Sequence, residues 1–595
     1  MIKLSDYVAD YISKKGIRDL FLIPGGGAMH LNDSFGKHKK LKYYCNHHEQ
    51  ASAIAAEGYY RASGKLCVVN VTTGPGGLNT LTGVMGQWTD SIPAVYISGQ
   101  VKYETTIGSC PDLKLRQLGD QEVDIISVVK PLTKYAVTIK DPAEIKYVLD
   151  RAFYEAISGR PGPVWIDIPL NVQASLIDEK KLKSFIPLKK KSKQIDNDIK
   201  KIIEILKRSN RPVIYVGNGV RLAGAENEFL KIIEKFGAPV VTAISGTDLL
   251  WRSHPLYYGR PGVCGNRIGN IMVQNSDFLL IIGTRLSIRQ TGYEFKNFAP
   301  KAFKVMIDID ENETRKPTLK IDLEIASDAK IAIKKLISYS NNLKPSKYQE
   351  WLDWGRKIEK KLPSIIEDNP KNKNYVNSYQ FSLELGQLLK AGDVVVTGNG
   401  TAYTGTYQIM PINKGVRLFA NQGCASMGYD LPAAIGASIS RNKKPVILVT
   451  GDGSIQMNIQ ELQTIAAHNL PIKIFVLEND GYLAMKTTQV AFFDRRFCAC
   501  DKSSGVFCSD MGKLAEAYGI RFCRIKNEKW LRNQIKKVLN YNGPIICEIK
   551  MDPFQTLFPK AYSAFDKKGK IYSKPLQDMY PTLPPELLEE CSKFC

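Results

Sequence analysis

Two short apolar runs, Pro445–Thr450 and Ile472–Leu477, constrain this chain more than any other feature. Both are rich in β-branched residues and bounded by turn formers, the pattern of a strand buried on both faces of a parallel sheet. The stretch between them, Ile459 to Asn469, fits a helix, so the three form a strand-helix-strand unit. Strands joined this way present both following loops at one carboxyl edge of the sheet, where ligands bind. One loop is Gly451-Asp452-Gly453 and the other Asn479-Asp480-Gly481-Tyr482. Asp452 and Asn479 can therefore meet. A carboxylate, an amide oxygen and a loop carbonyl suit a hard cation such as Mg²⁺, which keeps phosphate and water oxygens as its other ligands.

The 595 residues are enough for three or four domains, and 44% hydrophobic with 24% charged residues is ordinary for a globular protein. A formal charge of +23 would suit an anionic partner. The Lys residues are spread over helix faces and linkers without an aromatic-basic motif, so nucleic acid is not expected. No apolar run is long enough to span a bilayer, and Lys3, Asp6 and Asp10 break any signal-like start, so a cytoplasmic location is expected. The twelve Cys are scattered without a zinc-type pairing and read as reduced thiols.

The remaining strands read the same way, giving an α/β fold of three doubly wound parallel-sheet domains over about 1–175, 195–345 and 373–555, with a tail over 556–595. The first domain carries, in order, Pro24-Gly25-Gly26-Gly27, His48-Glu49-Gln50, Ala56-Glu57-Gly58-Tyr59, Gly74-Pro75-Gly76-Gly77 and Gly99-Gln100. A Lys-rich linker around Leu188–Ser192 follows. The second domain reads Rossmann-like, with Gly217-Asn218-Gly219 after one strand, Gly283-Thr284-Arg285 after another and Asp308 closing a third; its glycine pattern is a weak nucleotide signal. Trp351 and Trp354 then read as packing a helix against its neighbours. The third domain opens with Gly398-Asn399-Gly400-Thr401-Ala402, a plausible diphosphate cradle, and continues to Ser426-Met427-Gly428-Tyr429. The tail holds Pro559 and Pro581 to Pro585, too many prolines for a regular element.

These motifs, in this order, resemble the thiamine-diphosphate enzymes of the acetohydroxyacid (acetolactate) synthase large-subunit group. The resemblance implies that Asp452, Asn479 and the Gly481 carbonyl tie Mg²⁺ to the cofactor's diphosphate; the usual first Asn of that loop is Glu478 here. It places Glu49 against the aminopyrimidine, where a protonated carboxyl favours the imino tautomer that takes the thiazolium proton. Gly26 and Gln100 share that catalytic side. Met427 matches the wedge that keeps the cofactor bent, and Gly74, Gly400, Thr401, Ala402, Gly453, Ser454 and Tyr482 match cofactor contacts. FAD is implied at Gly217, Gly219, Arg221, Gly262, Gly265, Gly283, Arg285 and Asp308, although some related families keep this domain without flavin.

Such enzymes take a 2-keto acid donor, here expected to be pyruvate, and pass a two-carbon unit to a carbonyl acceptor. Arg289 matches an Arg that meets the substrate carboxylate, as guanidinium geometry suits. Where the synthases carry a Trp after Met485, this chain has Gln489, which opens and polarises the acceptor pocket. The same departure is similar to flavin-containing relatives that add an acetyl branch to nucleotide-linked keto sugars, so acetolactate formation and sugar branching both stay open, with simple decarboxylation and a silent cofactor-binding module behind them. A homodimer or homotetramer is implied, with the pyrimidine and diphosphate loops meeting across subunits.

Overall fold

The computed structural model describes residues 1–188, 194–369, 372–565, 569 and 571–595; the Lys-rich run expected around Leu188–Ser192 lies, apart from Leu188, outside the described residues. Three parallel sheets carry the fold. In the first, β1 (Asp19–Leu22), β2 (Lys42–Cys45), β3 (Val68–Val71), β4 (Val95–Gln100), β5 (Tyr135–Thr138) and β6 (Val164–Pro169) lie in the order β2-β1-β3-β4-β6-β5. The central sheet holds β7 (Pro212–Val216), β8 (Val240–Thr242), β9 (Phe278–Ile282), β10 (Phe303–Asp308) and β11 (Leu323–Ala326), ordered β8-β7-β9-β10-β11. The third holds β12 (Val394–Thr397), β13 (Arg417–Phe419), β14 (Val446–Gly451), β15 (Ile472–Glu478), β16 (Arg521–Ile525) and β17 (Ile545–Lys550), ordered β13-β12-β14-β15-β17-β16. Counted along each domain, the first and third sheets share one strand order, second-first-third-fourth-sixth-fifth. Each sheet reverses its winding between its first and third strands, and that switch point opens a crevice at the carboxyl edge.

The β-branched runs form the strands because both faces are covered: β14 is buried from Val446 to Thr450, and β15 from Ile472 to Leu477. One core joins the first and third domains, with Phe21, Tyr96 and Trp165 packed in the same cluster as Leu448, Ile474 and Val476. At its centre the Glu49–Ser63 helix crosses the Asp430–Ser440 helix, both rich in Ala and Gly, so their backbones nearly touch. A Cβ on Gly58 would stand 2.1 Å from the Ala433 carbonyl oxygen, and one on Gly436 would stand 1.8 Å from that of Ala55. No side chain can yield there, because the obstacle is backbone. Gly58→Ala is therefore expected to destabilise the protein by about 3 kcal/mol, the upper end for an added methyl group in a packed core. A thermal melt unchanged from the wild type would contradict this packing.

The tail departs from expectation. It forms a hairpin, Ser563–Phe565 with Ile571–Ser573, and a helix, Pro585–Cys591. The prolines permit that helix because Pro585 occupies its first turn, where a missing N–H breaks no hydrogen bond. The tail straps the central domain: Asn270 Nδ2 donates to the Leu576 carbonyl at 3.0 Å and Asn275 Nδ2 to that of Cys591 at 2.8 Å. Trp351 and Trp354 stack at 4.8 Å on the Gln349–Lys361 helix, and Phe594 meets both rings edge-on. Among the described residues no helix is long and apolar enough to cross a membrane.

Candidate functional site

Strand β14 ends at Gly451, and a helical turn, Asp452–Ile455, starts at once, so the Asp452 carboxylate stands at the carboxyl edge of the sheet. Strand β15 runs parallel beside it and delivers Asn479. The two loops meet as the spacing requires: Asp452 Oδ2 accepts from the backbone N–H of Asn479 at 3.1 Å and of Gly481 at 3.0 Å, and Oδ1 accepts from that of Gly453 at 2.9 Å. Burial pushes the Asp452 carboxyl up to about 6, against the three N–H donors, with the Glu478 charge adding to the rise. Asn479 Oδ1 is buried and has no hydrogen-bond partner. A buried carboxylate beside an orphaned amide oxygen is a donor set that fits a hard divalent cation. Tyr482 closes the loop, its ring so near Gly453 that a Cβ there would stand 2.4 Å from Cε1. Ser454 Oγ accepts from the Gly428 N–H at 3.0 Å, which fixes the backbone next to Met427.

Several residues that complete this site escaped the sequence reading. Lys486 is buried, and its ammonium donates to the carbonyls of Asn479 and Asp480, each at 2.9 Å, so it pins the Asn479–Tyr482 loop from behind. Asp430 is fully buried and accepts from the Thr450 hydroxyl. Glu478, which the sequence reading noted in the place of the usual Asn, pairs with Lys550, a partner that reading did not supply. Only for Lys486 did a signal exist, as a lone cation on the helix that follows the loop.

Beside β14, strand β12 leads through Asn399 into the Gly400–Ile409 helix. Gly400 adopts φ +60° with open space around it, whereas Thr401 and Ala402 are buried. The free N–H groups of that first helical turn fit a diphosphate.

On the first sheet, Gly26, Glu49, Gly74 and Gln100 stand in or beside loops at the carboxyl edge. Glu49 opens its helix half-exposed, and its Oε2 accepts from Asn79 Nδ2 at 3.0 Å. His48 caps the helix through Nδ1, which accepts from the Gln50 N–H at 3.1 Å. The loop before it is held by the third domain: Glu461 accepts from Asn46 Nδ2 and from the His47 N–H, both at 2.8 Å. Asn458 Nδ2 donates to Gln50 Oε1 at 3.0 Å and to the Gly428 carbonyl at 2.8 Å, which ties the neighbour of Glu49 to the neighbour of Met427. Gln100 is spent on structure. Its Oε1 accepts from Thr73 at 2.5 Å and its Nε2 donates to the Val123 carbonyl at 3.0 Å.

The central sheet contributes a separate cavity of about 680 Å³ at its switch point, between β7 and β9. Gly219, Gly283, Arg285, Arg289 and Asp308 line it, and Gly217 does not, being packed against Gly283 and Thr284. Gly283 has φ +59°, and a Cβ there would stand 2.8 Å from Gly219 Cα, so only glycine lets the two loops close. Burial raises the Asp308 carboxyl. The far wall belongs to the other domains, with Asp90, Tyr403 and Gln422. A crevice of paired glycines with a carboxylate at the end of the next strand fits a dinucleotide such as FAD. The residues expected around substrate are divided: Arg289 lines this cavity, whereas Met485 and Gln489 sit on the Leu483–Phe492 helix after the Asn479–Tyr482 loop. Met485 is half-exposed, and the Gln489 amide is occupied on both sides by the backbone of Cys498, at 2.9 and 3.0 Å.

Models of the thiamine pyrophosphate enzyme family match all three domains: the N-terminal TPP binding domain over 2–127, the central domain over 199–336 and the C-terminal TPP binding domain over 398–549. Among curated proteins, the chain is 32% identical to an acetolactate synthase large subunit of Cyanidium caldarium, covering 92% of this chain and 93% of the relative. It is 30% identical to the acetolactate synthase large subunit of Lactococcus lactis and 32% to a probable one of Methanocaldococcus jannaschii, with 93% of both chains covered in each case. The buried Asp452–Asn479 loop, the glycine-lined cradles and these matches together make the chain a thiamine-pyrophosphate-dependent enzyme of the acetolactate synthase large-subunit family.

Proposed function

We propose that the chain decarboxylates a 2-keto acid, pyruvate by preference, and joins the resulting two-carbon unit to a carbonyl acceptor. The observation that carries this reading is the Asn479 amide oxygen, buried and unpartnered beside the Asp452 carboxylate. Asp452, Asn479 and the Gly481 carbonyl hold Mg²⁺, and the helix start at Gly400 to Ala402 binds the diphosphate. When bound, thiamine diphosphate supplies the electron sink that lets a 2-keto acid lose carbon dioxide. Glu49 holds a proton for the cofactor's ring nitrogen, and Asn79 fixes the orientation of its carboxyl. Met427, whose neighbour Gly428 is held by Ser454, would pack against the cofactor. FAD belongs in the central cavity, on Gly217, Gly219, Gly283, Arg285 and Asp308.

A homodimer fits the surface: Leu78 and Met85, next to the Asn79 that holds Glu49, are both exposed large apolar side chains, a face for a second copy. Acetyl transfer to a keto sugar is the second reading. It is favoured by position 489, where Gln stands and no aromatic wall narrows the space for an acceptor. Incubation with thiamine diphosphate, Mg²⁺ and pyruvate, with and without a nucleotide-linked keto sugar, tests both by mass spectrometry of the products. Acetolactate from pyruvate alone supports the first reading, and a sugar heavier by an acetyl unit supports the second. Acetaldehyde as the sole organic product would overturn carboligation.

A further inference from the structure

A second cavity, of about 400 Å³, lies between the Leu483–Phe492 helix and the start of the tail. Its floor is one stripe of that helix, with Leu483, Lys486, Thr487 and Val490 at helical spacing, so Met485 and Gln489 lie on other faces. Three aromatic rings form the opposite wall: Phe554, which is 53% exposed, Tyr580, which is 44% exposed, and Phe558, packed edge-on against Tyr580 at 4.9 Å. The rings already have neighbours, Phe497 and the Lys486 ammonium at Phe554 and Tyr562 at Tyr580, but Phe554 and Tyr580 keep about half of their surface open at the mouth of the cavity.

The charge of this cavity is one-sided. Arg495 and Lys560 stand on its rim, and among the described residues neither forms an ion pair. No carboxylate lines it among the described residues. Lys486 adds no free charge, since its ammonium is held by the Asn479 and Asp480 carbonyls. That bond matters for another reason. It joins the floor of this cavity to the backbone of the metal loop through a single side chain, which sets the cavity beside the reacting centre.

Aromatic faces bind flat rings by stacking, and a guanidinium with an ammonium binds phosphate oxygens. We infer that this cavity is a recognition subsite for the nucleoside diphosphate portion of the acceptor. The base stacks on Phe554 and Tyr580, and the diphosphate meets Arg495 and Lys560. A second 2-keto acid could use the cations but would make no use of the exposed faces of Phe554 and Tyr580. The inference rests on the carboligase reading above and assigns the class of its acceptor.

Calorimetric titration of the full chain, saturated with thiamine diphosphate, Mg²⁺ and FAD so that those sites are closed to the probe, tests it. UDP, CDP, dTDP, ADP and GDP are titrated in turn, with inorganic pyrophosphate and uridine as separate halves. At least one nucleoside diphosphate is expected to bind at least tenfold tighter than pyrophosphate or its nucleoside. Phe554→Leu, which keeps an apolar side chain against Phe497 but removes the ring, and Arg495→Ala, both at exposed positions, are each expected to weaken it at least tenfold, with melting temperatures near that of the wild type. Absence of binding, binding untouched by both variants, or pyrophosphate bound as tightly as the nucleotide would overturn the inference. Carbon dioxide release from pyruvate, measured on the same sample, separates the two failures: release without nucleotide binding removes this subsite and leaves the carboligase reading standing, and absence of release removes that reading itself.

Discussion

Glu49→Gln is expected to lower pyruvate-dependent carbon dioxide release by roughly a hundredfold or more, the range in which a positioned acid-base group contributes. The substitution is conservative in shape. Gln keeps an oxygen for the Asn79 amide, which donates to Glu49 Oε2 at 3.0 Å, and keeps the helix start that His48 caps. It removes only the ability to exchange a proton. The melting temperature and the binding of thiamine diphosphate are therefore expected to stay near wild type while turnover collapses. A variant that retains full turnover would remove Glu49 from the mechanism, and one that fails to fold would show that the carboxylate is structural.

Asn479→Ala is expected to separate metal binding from folding even more sharply. The Asn479 side-chain oxygen has no hydrogen-bond partner in the protein, so its removal takes no bond from the cofactor-free fold and relieves a buried unsatisfied group. The melting temperature without cofactor should be equal to or above that of the wild type. Losing one of the few protein ligands should weaken Mg²⁺-dependent cofactor binding by about a hundredfold, at the top of the range seen when even outer partners of a metal site are removed. Asp452→Ala behaves differently, because Asp452 accepts from the N–H groups of Gly453, Asn479 and Gly481. Its loss is expected to reduce both cofactor binding and the stability of the cofactor-free protein. Thermal melts with and without thiamine diphosphate and Mg²⁺ read both effects. An Asn479→Ala protein that still gains full thermal stability from the cofactor would exclude the amide as a ligand.

The meeting of Asp452 with Asn479 was legible because its parts are local. Two buried strands and the loops after them must share a sheet edge, and that alone brings Asp452 to Asn479. The close approach of the Gly217–Gly219 and Gly283 loops was legible for the same reason, since a glycine after a buried strand marks a place where backbone comes close. What escaped depends on partners distant in sequence. Nothing around Glu461 shows that it will hold the Asn46–His47 loop, and nothing around Asp430 points to Thr450. Gln489 was read from its type as opening a pocket. The hold of the Cys498 backbone on its amide could not be read from its type, because that contact depends on how the following loop folds back. The tail shows the limit of composition: its prolines argued against regular structure, yet Pro585 stands at the one helical position that tolerates it. The shared strand order of the first and third sheets has no trace in residue patterns, because spatial order depends on which neighbour each strand chooses.

The most direct test of the central claim is carbon dioxide release from carboxyl-labelled pyruvate, measured with thiamine diphosphate and Mg²⁺ together, with each alone, and after chelation of the metal. The Asp452–Asn479 site predicts release only when both are present, abolished by chelation and by Asn479→Ala. Release that persists without either component, or no release when both are saturating, would contradict it.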